Sequence, residues 1–179
     1  LEGAHRLEAE YYQPEYLEID KKIKRFNNFL LRDLIYSFAS GKNLPQVDKG
    51  NTFFIRTQNI GQILLNKEGM SFVEPSIEKY PLLNEGDILA VRVGEGVGNT
   101  SIVTPYFARH SYSDNVLRFR IKKSDPYFVI IYLNSKSGFS YLERVSKGSA
   151  RSLVSSENIY SIRIPDLGQE VSSFCKKAI

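Results

Sequence analysis

The feature that most limits how this chain can fold is a series of short strand-like runs between residues 52 and 121. The runs are rich in β-branched and aromatic residues, and Gly, Asn, Asp or Pro bounds each of them, as in strands separated by turns. We predict strands over residues 52–56, 60–65, 88–93, 100–104 and 116–121. Because helical patterns lie on both sides of these runs, the sequence predicts an α+β domain with a β-rich centre.

Helical periodicity precedes the strands. From residue 15 to about residue 38, apolar residues recur at spacings of three and four with charged residues between them. Pro14 stands where a first-turn proline is common, and we expect Asn27-Asn28 to interrupt the helix before a second short helix through Leu34. The sequence therefore predicts N-terminal helices packed beside the β-rich centre.

The segment Ser124-Asp125-Pro126-Tyr127 is similar to the catalytic Asp-Pro-Pro-Tyr loop of amino-group DNA methyltransferases, but the second proline is absent. No glycine-rich cofactor strand precedes it in a βαβ unit. We interpret the segment as a helix start, with Asp125 as the N-cap and proline at the first helical position. Gly138 is expected to end that helix, and a second short helix is predicted over residues 139–145.

The C-terminal part predicts a last strand and a last helix. Ser156 is expected to cap one helical turn, and residues 159–164 alternate apolar and polar side chains as a strand does. An amphipathic helix is predicted from Gly168. We therefore expect one globular domain over residues 1–167 and the truncated start of a longer helix over residues 168–179.

Bulk properties lead us to expect one cytoplasmic domain. A chain of 179 residues with 42% apolar composition can bury a single core, and it has neither an apolar run of membrane-spanning length nor a signal-like start. Because the sequence begins at Leu1 rather than Met, we expect an excised fragment. Cys175, His5 and His110 are too few for a disulfide framework, a typical structural zinc site or a convincing catalytic set, so we expect no metal, cofactor or enzymatic activity.

Positive charge is concentrated in the second half of the chain. Residues 1–90 contain 11 Lys/Arg and 13 Asp/Glu, whereas residues 91–179 contain 13 and 7. A basic half is compatible with a polyanionic partner, because phosphate contacts provide most of the sequence-independent affinity for DNA. Many domains that bind no nucleic acid are equally basic, so charge alone leaves the partner open.

Three glycines alternate within Val93–Asn99, at Gly94, Gly96 and Gly98. A dinucleotide-binding loop would place a glycine at residue 99 and a helix after it, whereas a strand is predicted from residue 100. The segment therefore predicts a glycine hairpin between two strands, where the absence of side chains permits a positive φ or a close backbone approach.

Loops at the ends of the predicted strands carry hydrogen-bond donors suited to DNA. Arginine can contact guanine through two hydrogen bonds, and Gln or Asn can contact adenine in the same way. The alternating segment Arg118–Lys122 puts three cations on one strand face, which is either an ordinary solvated face or a second contact surface. The candidate DNA-binding residues are Arg56, Gln58, Asn59, Arg92, Asn99, Thr100, Lys147, Ser149, Arg151 and Ser152.

The order of several segments is distinctive along nearly the whole chain. They are Arg6–Pro14, Phe54–Ile60, the Leu-x-x-Gly-Asp motif that opens Leu83–Val93, Asp114–Arg118, Tyr132–Ser135, Gly148–Leu153, Ile159–Pro165 and Gln169. In this order they resemble the target recognition domains of specificity subunits in bacterial type I restriction-modification systems. Related domains also occur in fused restriction-methyltransferases.

The resemblance implies a β-rich α+β target-recognition globule that reads half of a split double-stranded DNA site. The helix from Gly168 would begin a spacer that sets the distance to a second recognition domain. Methylation and cleavage in this family belong to other subunits or fused domains, which are the expected partners. A half-size subunit, a fragment of a two-domain subunit and the tail of a fused methyltransferase stay open, as does the DNA sequence. The alternative function is a protein-interaction or structural module that pairs through its terminal helices.

Overall fold

The computed structural model describes residues 12–74, 82–146 and 153–179. Within these ranges the chain forms two short mixed or antiparallel sheets around a larger sheet, with helices before and after the β-rich centre. The predicted α+β class is therefore confirmed. None of the helices in the described ranges has the length and apolar character that a bilayer crossing needs.

The largest sheet has five strands. In spatial order they are β2 (Ile35–Ser40), β9 (Val116–Ile121), β6 (Ile88–Val91), β7 (Thr100–Ile102) and β4 (Ile63–Leu64). Neighbours are antiparallel except for β4, which runs parallel to β7 with Ile63 opposite Ser101. Three predicted strands, those at residues 88, 100 and 116, thus lie side by side in the centre.

Two smaller sheets complete the β structure. The three-stranded one has the order β5 (Ser71–Val73), β3 (Thr52–Ile55) and β8 (Ser111–Tyr112), and the two-stranded one joins β1 (Asn28–Leu30) to β10 (Arg163–Pro165). The pairing of β1 with β10 brings the N-terminal and C-terminal parts of the described chain together.

Six helices flank the sheets in the part of the chain that is described. They are α1 (Pro14–Lys24), α2 (Leu31–Leu34), α3 (Pro126–Asn134), α4 (Lys136–Ser146), α5 (Ser156–Tyr160) and α6 (Gly168–Ala178). The predicted N-cap of α3 is confirmed, because the Asp125 Oδ1 atom accepts a hydrogen bond from the Tyr127 backbone N–H at 2.8 Å. This helix is buried, and Val129, Ile130 and Leu133 have no exposed surface.

Strand β6 is buried on both faces of the central sheet. Its four residues are all fully buried, with Ile88 and Ala90 packed in one apolar cluster together with Phe119 and helix α3. Leu89 and Val91 pack in a second cluster on the opposite face. A strand covered on both faces needs a continuous apolar run rather than an alternating one, and Ile88–Val91 has that pattern.

The predicted interruption at Asn27-Asn28 and the second short helix through Leu34 are confirmed, since α1 ends at Lys24 and α2 ends at Leu34. The helical pattern to about residue 38 is wrong beyond Leu34, because Ile35–Ser40 forms edge strand β2, which pairs with β9. Ile35, Tyr36 and Phe38 are β-branched or aromatic, and such residues favour a strand once a partner strand is available. Tertiary pairing therefore overrides the helical spacing.

Three C-terminal predictions are corrected as well. Gly138 does not end a helix but lies within α4, where a Cβ atom would come 2.0 Å from the Tyr132 carbonyl oxygen, so glycine permits α4 to begin against the end of α3. Residues 159–162 are not in a strand. Ser155, rather than Ser156, caps helix α5, because its Oγ atom accepts from the Asn158 N–H while the Asn158 Oδ1 atom accepts from the Ser155 N–H.

Candidate nucleic-acid interface

The predicted glycine hairpin is confirmed. It joins β6 to β7, which are antiparallel, and the Val91 N–H donates to the Asn99 carbonyl oxygen at 3.0 Å. Gly94, Gly96 and Gly98 have φ values of 98°, 79° and 93°, a region that side-chain-bearing residues rarely occupy. A strand rather than a helix follows the hairpin, so the geometry of a dinucleotide-binding loop is absent here.

A second loop follows strand β3 and carries two of the predicted residues. Arg56 precedes a 3₁₀ helix over Thr57–Asn59. Its Nη2 atom donates to the Gly69 carbonyl oxygen at 3.0 Å, and the Gln58 Nε2 atom donates to the same oxygen at 3.2 Å. Two predicted donors thus converge on one backbone group, and Gln58 remains exposed to solvent.

Asn59 holds this loop together from the inside. Its side chain is fully buried, its Oδ1 atom accepts from the Arg56 N–H at 3.0 Å, and its Nδ2 atom donates to the carbonyl oxygens of Asn66 and Glu68. The prediction that Asn59 is presented to DNA is therefore corrected. The amide group is satisfied within the fold, and burial keeps it from a partner.

Thr100 is also an internal residue. It has no exposed surface, and the Asn134 Nδ2 atom donates to the Thr100 Oγ1 atom at 3.0 Å and to its carbonyl oxygen at 3.2 Å. Asn99 beside it is half-buried, with its Nδ2 atom 3.5 Å from the Ile60 carbonyl oxygen. Thr100 joins sheet to helix and is not available to DNA, whereas Asn99 joins the glycine hairpin to the loop after β3.

The glycine hairpin also contacts the chain segment that begins at Leu153. Val93 and Leu153 form an antiparallel bridge, and the Val154 N–H donates to the Arg92 carbonyl oxygen at 2.9 Å. The side chain of Arg92 is exposed. The predicted residues Lys147, Ser149, Arg151 and Ser152 lie outside the described residues.

Residues 56–69, residues 92–99 and Leu153 form one surface, which we call the recognition rim. Backbone and side-chain hydrogen bonds connect its three parts at the β4 side of the central sheet. The rim carries the cations Arg56, Lys67 and Arg92 and the carboxylates Glu68 and Glu95. Lys67 and Glu95 were not singled out from the sequence, although they stand in polar turns that contain glycine.

The basic face predicted for strand β9 serves the fold instead. Arg118 is only 5% exposed, and its Nε and Nη1 atoms donate to the Tyr112 hydroxyl and the Ser37 Oγ atom. Burial raises the pKa of the Tyr112 hydroxyl, which therefore stays protonated. Arg120 forms an ion pair with Asp87. Arg118 is thus buried and Arg120 is paired within the fold, whereas Lys122, just after the strand, is exposed.

The fold resembles that of solved restriction-modification proteins. The HsdS subunit from Thermoanaerobacter tengcongensis matches with 13% identity and a TM-score of 0.59 over 91% of this chain and 44% of that one. The type I restriction-modification S subunit from M. genitalium matches with 14% identity and a TM-score of 0.58 over 91% and 40%. The type IIG restriction endonuclease BpuSI matches with 12% identity and a TM-score of 0.64 over 94% and 28%.

The likeness lies in the fold rather than in the sequence. No protein-family model and no curated protein sequence matches the chain. The chain spans less than half the length of each of these solved proteins. At the level of the fold, the expected similarity to type I specificity subunits is confirmed.

Proposed function

We propose that this chain is a target recognition domain that reads a double-stranded DNA sequence for a bacterial restriction-modification system in the cytoplasm. Methyl transfer and DNA cleavage would belong to partner subunits or fused domains, and the chain would carry no catalytic site. The observation that supports this most strongly is the recognition rim, in which hydrogen bonds connect two loops and Leu153 beside the central sheet, within a fold similar to that of specificity subunits.

The rim offers two kinds of DNA contact. Arg92 and Gln58 are exposed and suit base edges in the major groove, whereas Lys67 suits a phosphate. The side chain of Arg56 donates within the loop through one nitrogen, and its Nε atom is buried with no hydrogen-bond partner among the described residues. The proposed contact residues are Arg56, Gln58, Lys67, Arg92 and Asn99, with Lys147, Ser149, Arg151 and Ser152 from the sequence.

A structural role for Ser124–Tyr127, the segment similar to a methyltransferase loop, supports the non-catalytic interpretation. The Asp125 carboxylate is held by the Tyr127 N–H at the start of α3. A methyltransferase fragment that used this segment would need a free Asp125 beside its substrate. Calorimetry with S-adenosylmethionine separates the two functions, because the proposed domain takes up none and an enzyme fragment binds it.

Helix α6 supports a second proposal, that the chain pairs with another recognition domain. Phe174 is 71% exposed on a helix whose Cys175, the next residue, is buried, so an aromatic side chain faces solvent beside the side that packs inward. An aromatic side chain this exposed is suited to packing against another helix. If this is so, Phe174→Ser lowers the mass measured by light scattering from a dimer to a monomer. A wild-type monomer at high concentration would contradict the pairing.

Binding to duplex DNA tests the proposed function. Fluorescence anisotropy with a mixed-sequence duplex at about 50 mM salt detects sequence-independent binding, which is strongest at low ionic strength. Arg92→Ala should weaken binding and, if Arg92 contacts a phosphate, reduce the salt-dependence slope by about one. The matched control is Arg32→Ala, which removes an exposed arginine from α2, outside the rim. Equal losses in both variants would contradict the assignment.

A further inference from the structure

The turn between Ile60 and Leu65 has an unusual backbone. These two residues form an antiparallel bridge, and within the loop the Leu64 N–H donates to the Gln62 carbonyl oxygen at 2.8 Å. Ile63, at the centre of this three-residue turn, has a φ of 68°. A γ-turn with a positive φ at its centre is the rarer and more strained of the two forms.

Ile63 is the kind of residue that avoids this conformation. A β-branched side chain at positive φ is a genuine outlier and costs roughly 1–3 kcal/mol, so it persists only where the surrounding structure enforces it. Such strain is concentrated at functional sites, where it fixes a group that would otherwise move. The strained turn is therefore a candidate for a role beyond the fold.

Ser101, on the neighbouring strand β7, holds the turn in place. Its side chain is fully buried, and its Oγ atom lies 3.2 Å from the Gly61 carbonyl oxygen and 3.0 Å from the Leu64 carbonyl oxygen, so one hydroxyl bridges both ends of the turn. A Cβ atom at Gly61 would come 2.9 Å from the Leu64 carbonyl oxygen, which only glycine avoids. The parallel pairing of Ile63 with Ser101 adds backbone support.

The turn presents Gln62 at the recognition rim. Because β4 runs parallel to β7, Gln62 lies at the end of β4 nearest to the glycine hairpin, and Asn99 contacts Ile60 two residues earlier. Gln62 is exposed, and its side-chain amide has no hydrogen-bond partner in the described ranges. Gln58 differs, because its Nε2 atom already donates to Gly69. Both ends of the Gln62 amide are thus free.

We propose that Gln62 is a specificity-determining residue that contacts an adenine in the major groove, with Ser101 as its positioning residue. The proposal rests on the proposed DNA recognition. A glutamine amide can donate to adenine N7 and accept from its N6 amino group, which no other base pair satisfies in the same way. The strained, doubly held turn limits the motion of Gln62, so less freedom is lost when the contact forms.

Selection from a randomised duplex library tests the proposal, with Gln62→Ala compared with wild type. The wild-type motif should contain an A·T pair at which Gln62→Ala loses discrimination by about 5- to 150-fold, while preferences at other positions persist. The matched control is Gln46→Ala, an exposed glutamine in another loop, which should leave the motif unchanged. An unaltered motif in Gln62→Ala overturns the proposal. A wild-type selection without any motif overturns the proposed function instead.

Two further variants test the geometry of the contact. Gln62→Glu should shift the preferred base at that one position from adenine to cytosine, because a carboxylate accepts from the cytosine amino group. Ser101→Ala should reduce discrimination at that position alone, an effect that a general loss of stability would not produce. Retained adenine preference in Gln62→Glu contradicts the contact, and this exposed substitution gives a result even if Ser101→Ala fails to fold.

Discussion

Arg120 and Asp87 form a two-point ion pair that links strand β9 to the residue just before strand β6. The Arg120 Nε atom lies 2.7 Å from the Asp87 Oδ1 atom, and Nη2 lies 3.2 Å from Oδ2. The Asp87 Oδ2 atom also accepts from the Asn84 N–H at 2.9 Å. The Leu-x-x-Gly-Asp motif therefore stabilises the turn that leads into β6 and anchors that turn to β9.

Removing one partner of this pair should be costly. Asp87→Asn leaves the Arg120 guanidinium without its counter-charge beside a carboxylate position that is 2% exposed, so we expect a loss of about 3 kcal/mol in the free energy of unfolding. Urea denaturation of the wild type and of Asp87→Asn measures this loss. Asp48→Asn, at an exposed position, serves as the control and should change stability by less than about 0.5 kcal/mol. Equal stabilities for the two variants would refute the structural role.

Asn59 should control the stability of the loop after β3. Asn59→Ala removes three side-chain hydrogen bonds, one to a backbone N–H and two to backbone carbonyl oxygens of the loop. We expect this to destabilise the protein by about 2–3 kcal/mol. Hydrogen exchange in Asn59→Ala should be faster than in the wild type, and the increase should be larger in residues 56–69 than in strand β9. Asn51→Ala, at an exposed position, is the matched control. Unchanged exchange in the loop would show that Asn59 does not fasten it.

His110 should make stability depend on pH. Burial lowers the pKa of its imidazole, and the Phe53 N–H donates to its Nδ1 atom at 3.3 Å, so the folded state favours the neutral ring. At pH values between the lowered folded-state pKa and the unfolded value near 6.5, the unfolded chain binds more protons than the folded chain. The contribution of His110 to the free energy of unfolding is therefore full above about pH 6.5 and is lost as the pH falls. Urea unfolding at about pH 7.5 and about pH 5.5 measures this loss. His110→Asn should reduce the difference between the two, and an identical pH dependence would contradict the assignment.

Arg151 tests the part of the proposed surface that rests on the sequence. Arg151→Ala should weaken binding to the selected DNA by about 1–3 kcal/mol and relax the preference at one position if the guanidinium contacts a base. Uniform weakening on all duplexes would assign Arg151 to a phosphate. No change in either measurement would remove it from the surface.

Sequence predicted the elements whose signals are local. Asp125 and Pro126 marked the start of α3, and the spaced glycines marked the hairpin because only glycine adopts its positive φ values cheaply. Strand β2 was missed, since Ile35–Ser40 becomes a strand through pairing with β9, some 80 residues later. Non-local pairing of this kind leaves little trace in the segment itself.

The sequence placed the candidate residues in loops at strand ends, but it did not show which of their side chains are exposed. Asn59 and Thr100 have the same chemistry as a DNA-contacting side chain, and only their burial shows that they bind the backbone of their own fold. Nothing in the sequence indicated a role for Gln62 or Ser101. The positive φ of Ile63 and the contact of the Ser101 hydroxyl with the turn depend on the pairing of β4 with β7. Tertiary context decides which donors face outward.

The most direct measurement is the binding selection itself, performed with this chain on a fully randomised duplex library at moderate salt. Under the proposal, a single domain reads half of a split site and lacks the gain from linking two recognition domains, so the selection is repeated with a covalently linked tandem of the chain. A short, reproducible half-site enriched in both formats is the predicted result. Retention of DNA with no sequence enrichment in either format would contradict the central claim that the recognition rim reads sequence.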